Sequence, residues 1–182
     1  MEDFRIVEHV ELSGPGLLLR PWRDADAVEV MLAMRELQIA LWNASPDTAE
    51  LAGALGWVRR RADWSTGQHA SFAVVDPVRQ TLLGSISLHR IHDGEAEIGY
   101  WTVAAARGRG VATGAVGVVA GWAFEKLELH RIELCHAVAN PASCRVAERA
   151  GFRLEGELRQ SHRYGDGQRY DEHLHARLAT DQ

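Results

Sequence analysis

Apolar positions change period repeatedly along the chain, and the changes mark an alternation of strands and helices. Leu17 to Arg20 reads as a short strand that Pro21 stops. Asp24 then suits the N-cap of a helix carrying Ala25, Val28, Met31 and Leu32 on one side. From Arg35 to Asp47 the pattern is irregular, with Ile39, Leu41 and Trp42 apolar. Asp47 and Glu50 form an N-cap pair for a helix with the stripe Leu51, Leu55, Val58 and Ala62, and Arg59, Arg60 and Arg61 fall on three solvated sides of it. His69 to Val75 and Thr81 to His89 predict two antiparallel strands joined across Asp76-Pro77. Glu95 to Val103 predicts a third.

The next helical run, from Val111 to Phe124, contains no charged residue. Val116, Val119, Ala120, Ala123 and Leu127 form its apolar stripe, while Gly114, Gly117 and Gly121 share roughly the opposite side. Each interior glycine costs about 1 kcal/mol relative to alanine. Their presence predicts close backbone approach there, to a neighbouring element or to a second copy in a homodimer. Arg131 to Val138 alternates as a strand. Asn140 as N-cap, Pro141 at the first helical position and Gly151 at the far end bound a short helix with Ser143 in its first turn. Two last strands, Phe152 to Leu158 and Tyr170 to Leu178, flank Gly165-Asp166-Gly167. Residues 1–15 read as a loose arm on a single domain spanning 1–182. This order gives an α/β (α+β) fold with a mixed, mostly antiparallel sheet and helices on both faces.

A length of 182 residues, 46% hydrophobic and 25% charged, supports one soluble domain with a proper core. The net charge of -5 excludes a general nucleic-acid binder, and no apolar run suits a membrane span or an export signal. Cys135 and Cys144 make no disulfide framework, so a cytoplasmic protein with free thiols is expected. With His130 or His136 they fit no common zinc spacing, and no metal is predicted. His89, His92, His173 and His175 read as surface histidines.

The stretch Arg107-Gly108-Arg109-Gly110-Val111-Ala112-Thr113 joins a strand to a helix. Glycines let the backbone approach an anion, and the first-turn N–H groups lack intrahelical partners. Arginines add charge-assisted bonds to phosphate. The same residues would also serve an ordinary turn. A Walker A loop is excluded because no Gly-Lys pair exists. The dinucleotide fingerprint fails because Gly108, Gly110 and Gly114 leave one residue too many, and because Glu95 and Glu97 interrupt the preceding strand.

Arg107-x-x-Gly110-x-Ala112 resembles the Gln/Arg-x-x-Gly-x-Gly/Ala signature of the GNAT N-acetyltransferases. Leu19-Arg20-Pro21-Trp22, Glu97-Ile98-Gly99-Tyr100-Trp101, Asn140-Pro141-Ala142-Ser143 and the segment from Glu148 to Gly156 accompany it. Together they resemble the RimJ/RimL-like branch, which contains ribosomal-protein N-terminal acetyltransferases, from about Gly16 to about Leu178. The resemblance implies a GNAT fold of about six to seven strands, in which the strand before the glycine loop and the strand after its helix are parallel and splay apart. Acetyl-CoA would lie in that cleft. Trp101, Thr102 and Val103 would pair with the pantetheine amides, residues 107–113 would hold the pyrophosphate, and Asn140 would bond the arm from the other side.

Ser143 would protonate the departing thiolate. Glu97 is the first candidate for the base that serves the amine, whether a protein N-terminus or a small molecule. Some relatives carry a carboxylate where this chain has Ser161 and His162, which makes His162 the rival base. Trp42 would line the acceptor side. The contrasting function class is a non-catalytic acyl-CoA-binding regulatory module.

Overall fold

The computed structural model describes residues 7–43 and 45–181. One eight-stranded sheet runs in the order β1 (Leu12–Gly14), β2 (Leu17–Pro21), β3 (His69–Val75), β4 (Leu82–His92), β5 (Glu95–Thr102), β6 (Arg131–Ala137), β8 (Arg169–Leu178) and β7 (Arg153–Arg163). Every neighbouring pair is antiparallel except β5 and β6. The helices are α1 (Ala27–Met34), α2 (Leu37–Trp42), α3 (Leu51–Ala62), α4 (Val111–Lys126) and α5 (Pro141–Arg149). The eighth strand is β1, which corrects the expected arm: Leu12–Gly14 pairs with β2, and Val7 is buried. Residues 1–6 of that arm lie outside the described residues.

Alternation along the strands builds two cores. Ala70, Phe72 and Val74 of β3 face α4 and α5 with Val116, Val119, Ala123 and Ala147. Ala73 and Val75 face the other way, toward α1 and α3, with Val30, Trp57, Val58 and Trp101. The α4 stripe is therefore as expected. Its glycine side is not. A Cβ on Gly114 would meet Leu17 at 3.0 Å, but one on Gly117 or Gly121 would meet nothing within 4 Å, so no close approach explains those two.

The expected face of α1 is also corrected. Ala27, Val30, Ala33 and Met34 are buried, whereas Val28 and Leu32 are exposed. The chain spends Asp24–Asp26 in a 3-10 turn, and Asp26 turns inward. There it accepts bonds from Arg20 at 2.7 and 2.8 Å and from the Arg23 N–H at 2.8 Å. Side-chain exposure of both Arg20 and Asp26 is only 5%. This buried pair ties β2 to α1. Arg61, expected in solvent, lies over the Trp57 ring at 5.3 Å.

Candidate active site

The parallel strands β5 and β6 pair only through Glu95–Arg131, Ala96–Ile132 and Glu97–Glu133. Beyond that point each continues with its outer partner, β4 or β8, and the two part. A cavity of about 390 Å³ fills the opening. Its walls come from Ile98 to Thr102, the glycine loop, Cys135 to Ala137, the head of α5, and Gln38, Trp42 and Tyr164.

Gly108 and Gly110 both adopt left-handed backbone, at φ +71° and +77°, and a Cβ on either would point into open space. The α4 ladder begins with Gly114 N–H donating to Gly110 C=O at 2.9 Å. The amides of Val111, Ala112 and Thr113 therefore lack partners inside the helix and line an anion-ready terminus. Arg107 borders the cavity, yet its guanidinium donates to Glu36 at 2.6 Å and to the Thr102 carbonyl at 3.0 Å. Arg109 is exposed and off the wall, so the structure does not bring it to the site.

The main-chain edge is narrower than expected. Val103 N–H donates to Leu83 C=O at 3.0 Å, and antiparallel pairing alternates. Trp101 and Val103 thus spend their backbone groups on β4, and Val103 does not border the cavity. Tyr100 and Thr102 turn theirs toward the parting strands.

Asn140 caps α5 as expected: its Oδ1 accepts from Ser143 N–H at 3.4 Å. Ser143 Oγ accepts from Tyr100 O–H at 3.0 Å and from Asn140 Nδ2 at 3.3 Å. Burial pushes the Tyr100 phenol up to about 12, so it stays protonated at neutral pH. Tyr100 was missed from sequence, although alternation from Ile98 places both on one face, the one that α4 and α5 cover.

Neither expected base reaches the wall. The Glu97 carboxylate lies near His89 at 3.7 Å and accepts from Arg90 at 2.8 Å. His89 first, with help from Arg90, holds it below the usual carboxylate range despite opposing desolvation. His162 is exposed on β7, its ring edge-on to Tyr164 at 4.7 Å between centroids. The buried carboxylate nearby is Glu172, which accepts from Tyr164 O–H at 2.8 Å and Ser161 O–H at 2.7 Å. Burial and that contact push the Tyr164 phenol up.

Two histidines expected at the surface are elsewhere. His175 is 0% exposed and His173 is half-buried. One ligand-capable atom from each of His136, Cys144, His173 and His175 lies within 4.8 Å of the others. Cys135, by contrast, is not in this group, and burial first, then the neighbouring carboxylates, push its thiol up to about 12.

The family model for the acetyltransferase (GNAT) domain matches residues 16–153. The chain belongs to the GNAT acetyltransferase family. GNAT proteins are acyltransferases, and this chain is one by class. The ribosomal N-acetyltransferase candidate YdaF of Bacillus subtilis (strain 168) is 32% identical over 175 residues, 92% of this chain and 90% of that one. The ribosomal-protein-serine acetyltransferase of Escherichia coli (strain K12) is 38% identical over 104 residues, 56% and 57% of the two chains. Mycobacterium smegmatis RimJ, solved with CoA-disulfide, superposes with a TM-score of 0.79 at 25% identity, covering 98% of this chain and 90% of RimJ. These relatives support the RimJ/RimL-like branch. Among the described residues no helix is long and apolar enough to cross a membrane.

Proposed function

We propose that the protein transfers the acetyl group of acetyl-CoA to a primary amine, and that a protein or peptide α-amine is the preferred acceptor. The observation that carries this is the valence of Ser143. A serine hydroxyl has one proton and two acceptor sites. Tyr100 and Asn140 occupy both acceptor sites, so the proton of Ser143 is directed at neither and is available to the cavity. In the reaction the amine nitrogen attacks the thioester carbon, the carbon–sulfur bond breaks, and Ser143 protonates the thiolate. Tyr100 then returns a proton to Ser143 Oγ, and the proton that the amine nitrogen sheds on becoming the amide passes through solvent to restore the Tyr100 phenol. The α4 amides and the Tyr100–Thr102 edge hold the nucleotide and pantetheine parts of the donor.

The acceptor follows from what the wall lacks. No Asp or Glu is among the described residues that line the cavity. His136 does line it, but its nitrogens contact the Ala137 carbonyl at 2.9 Å and His175 at 3.2 Å. The acceptor must therefore lose its proton before binding. At pH 7 an α-amine of pKa about 8 is roughly 9% neutral, against about 0.04% for a lysine near 10.4. The names of the relatives support the same acceptor class.

Thiol release from acetyl-CoA, measured over peptides with open N-termini, N-blocked lysine peptides and polyamines, tests both parts. Turnover with the first group is expected. Silence across the panel despite CoA binding would overturn the transfer reading, and preference for lysine or polyamines would overturn the acceptor class.

A further inference from the structure

Behind Ser143 lies a cluster that acetyl transfer does not use. His136 on β6 and His173 on β8 are direct cross-strand partners, and His175 is two residues further along the same face. The second turn of α5 presents Cys144 to them, its Sγ 3.9 Å from His175 Nε2. We propose that His136, Cys144, His173 and His175 form a tetrahedral site for zinc, or a divalent ion of similar softness, that fastens the head of α5 to β6 and β8.

The hydrogen bonds around the cluster follow the pattern of metal ligands. His136 Nδ1 points at the Ala137 carbonyl at 2.9 Å, and His175 Nδ1 points at the Phe152 carbonyl at 3.4 Å. With both Nδ1 protons so engaged, both Nε2 atoms carry lone pairs. Those two atoms face each other across 3.2 Å. Two acceptors at that distance repel, whereas two ligands of one cation belong there. His173 adds a third mark. Its Nδ1 is buried with no hydrogen-bond partner, while its Nε2 faces the Glu157 carboxylate at 4.0 Å. That carboxylate lies beyond hydrogen-bond distance, so the mark of a ligand is the buried, unpartnered Nδ1.

The spacing fits as well. Zinc bonds of about 2.05 Å to nitrogen and 2.3 Å to sulfur put tetrahedral ligand atoms about 3.3 Å (N–N) and 3.6 Å (N–S) apart. The 3.2 and 3.9 Å separations already approach those values, and the widest, 4.8 Å, closes by roughly an ångström and a half through side-chain rotation. Three imidazoles and one thiol, without a carboxylate in the set, select zinc-like ions over magnesium or calcium. The ligands come from three elements, so an ion here would brace the turn that carries Asn140 and Ser143.

The test uses the untagged full chain, since a polyhistidine tag would bind the same ions. Near-stoichiometric zinc by atomic emission is expected after growth with zinc. Cobalt(II) added to the stripped protein should give intense tetrahedral ligand-field bands with a thiolate charge-transfer band. Cys144→Ser should abolish the charge-transfer band, and Cys135→Ser should leave it. Cys144→Ser and His173→Gln, both at partly exposed positions, should each weaken zinc by at least the roughly 10–100-fold that losing a second-shell partner costs. His92→Gln, on the exposed end of β4, should change nothing. The site is refuted by a folded protein that takes up no zinc and gives only weak octahedral cobalt bands. It is equally refuted if zinc affinity survives both ligand variants, or if the charge-transfer band follows Cys135. None of these readouts depends on acetyl transfer, so this result stands apart from the fate of that proposal.

Discussion

Tyr100→Phe removes one oxygen and separates two roles for the Tyr100–Ser143 pair. In the first role the phenol only orients Ser143. Its loss then removes one hydrogen bond of about 0.5–1.5 kcal/mol, or about 2- to 13-fold in turnover, because Asn140 Nδ2 still holds Ser143 Oγ at 3.3 Å. In the second role the phenol replenishes the proton that Ser143 gives to the thiolate. The loss then approaches the full contribution of a general acid, about 10²–10⁴. Geometry favours the second role: the Tyr100 O–H already donates to Ser143 Oγ at 3.0 Å, and a phenol pushed up to about 12 still carries its proton at neutral pH and remains more acidic than an aliphatic hydroxyl. The decisive assay is a double-mutant cycle on turnover at saturating acetyl-CoA and peptide, with CoA affinity followed by calorimetry. Ser143→Ala should lower turnover with CoA affinity nearly unchanged, and adding Tyr100→Phe to it should cost little more. Multiplying effects would refute the relay. Lost CoA affinity with preserved turnover in Ser143→Ala would refute the donor role altogether.

Gly110→Val places a β-branched residue at φ +77° and a Cβ in the space left for phosphate; CoA binding should fall at least tenfold, about 1.4 kcal/mol, and unchanged affinity in a folded variant would remove the anion site from α4. Asp26→Asn leaves Arg20 charged and buried without its partner, which should destabilise by about 3–5 kcal/mol and lower the melting temperature by roughly 6–20 °C in thermal denaturation. Glu97→Gln and His162→Gln should both keep the acidic limb of the turnover–pH profile, since neither side chain lines the cavity; loss of that limb in either variant would reinstate it as the base. The Glu97 carboxyl is held low in the folded state, so its stabilising effect is complete above the unfolded value near 4.3 and is lost as pH falls through the folded one. The melting-temperature gap between wild type and Glu97→Gln should therefore shrink below about pH 4.

What the sequence revealed was whatever a few consecutive residues decide. The glycine turn at Gly108 and Gly110, the Asn140 cap with Pro141 behind it, and Gly151 at φ +81° are each set within a turn and are legible, although left-handed backbone was expected only at Gly151. Most strand and helix spans followed from period, but β1, α2 inside the irregular stretch, and the part of β7 beyond Leu158 did not. Arg20 and Asp26 are six residues apart with a proline between them, and nothing in the pattern says that the acid turns inward. Tyr100 meets Ser143 only because β5 and β6 part, a property of the sheet rather than of either strand. The surface reading of His173 and His175 failed for a related reason. Along β8 Tyr170, Leu174, Ala176 and Leu178 share one side, a pattern that assigns the odd positions to water. That inference holds for a sheet with one solvated face. Here α5 packs over the face that β8 presents with those histidines, so that face is not the solvated one.

The placement of α5 links the two readings of this protein. Asn140 and Ser143 look into the cavity from its first turn, while Cys144, the next residue along, looks toward the sheet. The proton donation proposed for Ser143 requires its oxygen to be held within about half an ångström of its productive place. A nine-residue helix is too short to be stable by itself, and its interior contact is mainly Ala147. Something other than intrinsic helix stability must therefore fix its head. The Asn140 N–H, donating to the Ala137 carbonyl at the end of β6 at 2.8 Å, supplies one attachment and Tyr100 a second. A third attachment, through Cys144 to His136 and His175, would prevent the helix from rocking about the first two. On this argument Cys144→Ser should lower turnover while leaving the CoA dissociation constant nearly unchanged, and in zinc-stripped wild type the same loss should appear and be reversed by adding zinc.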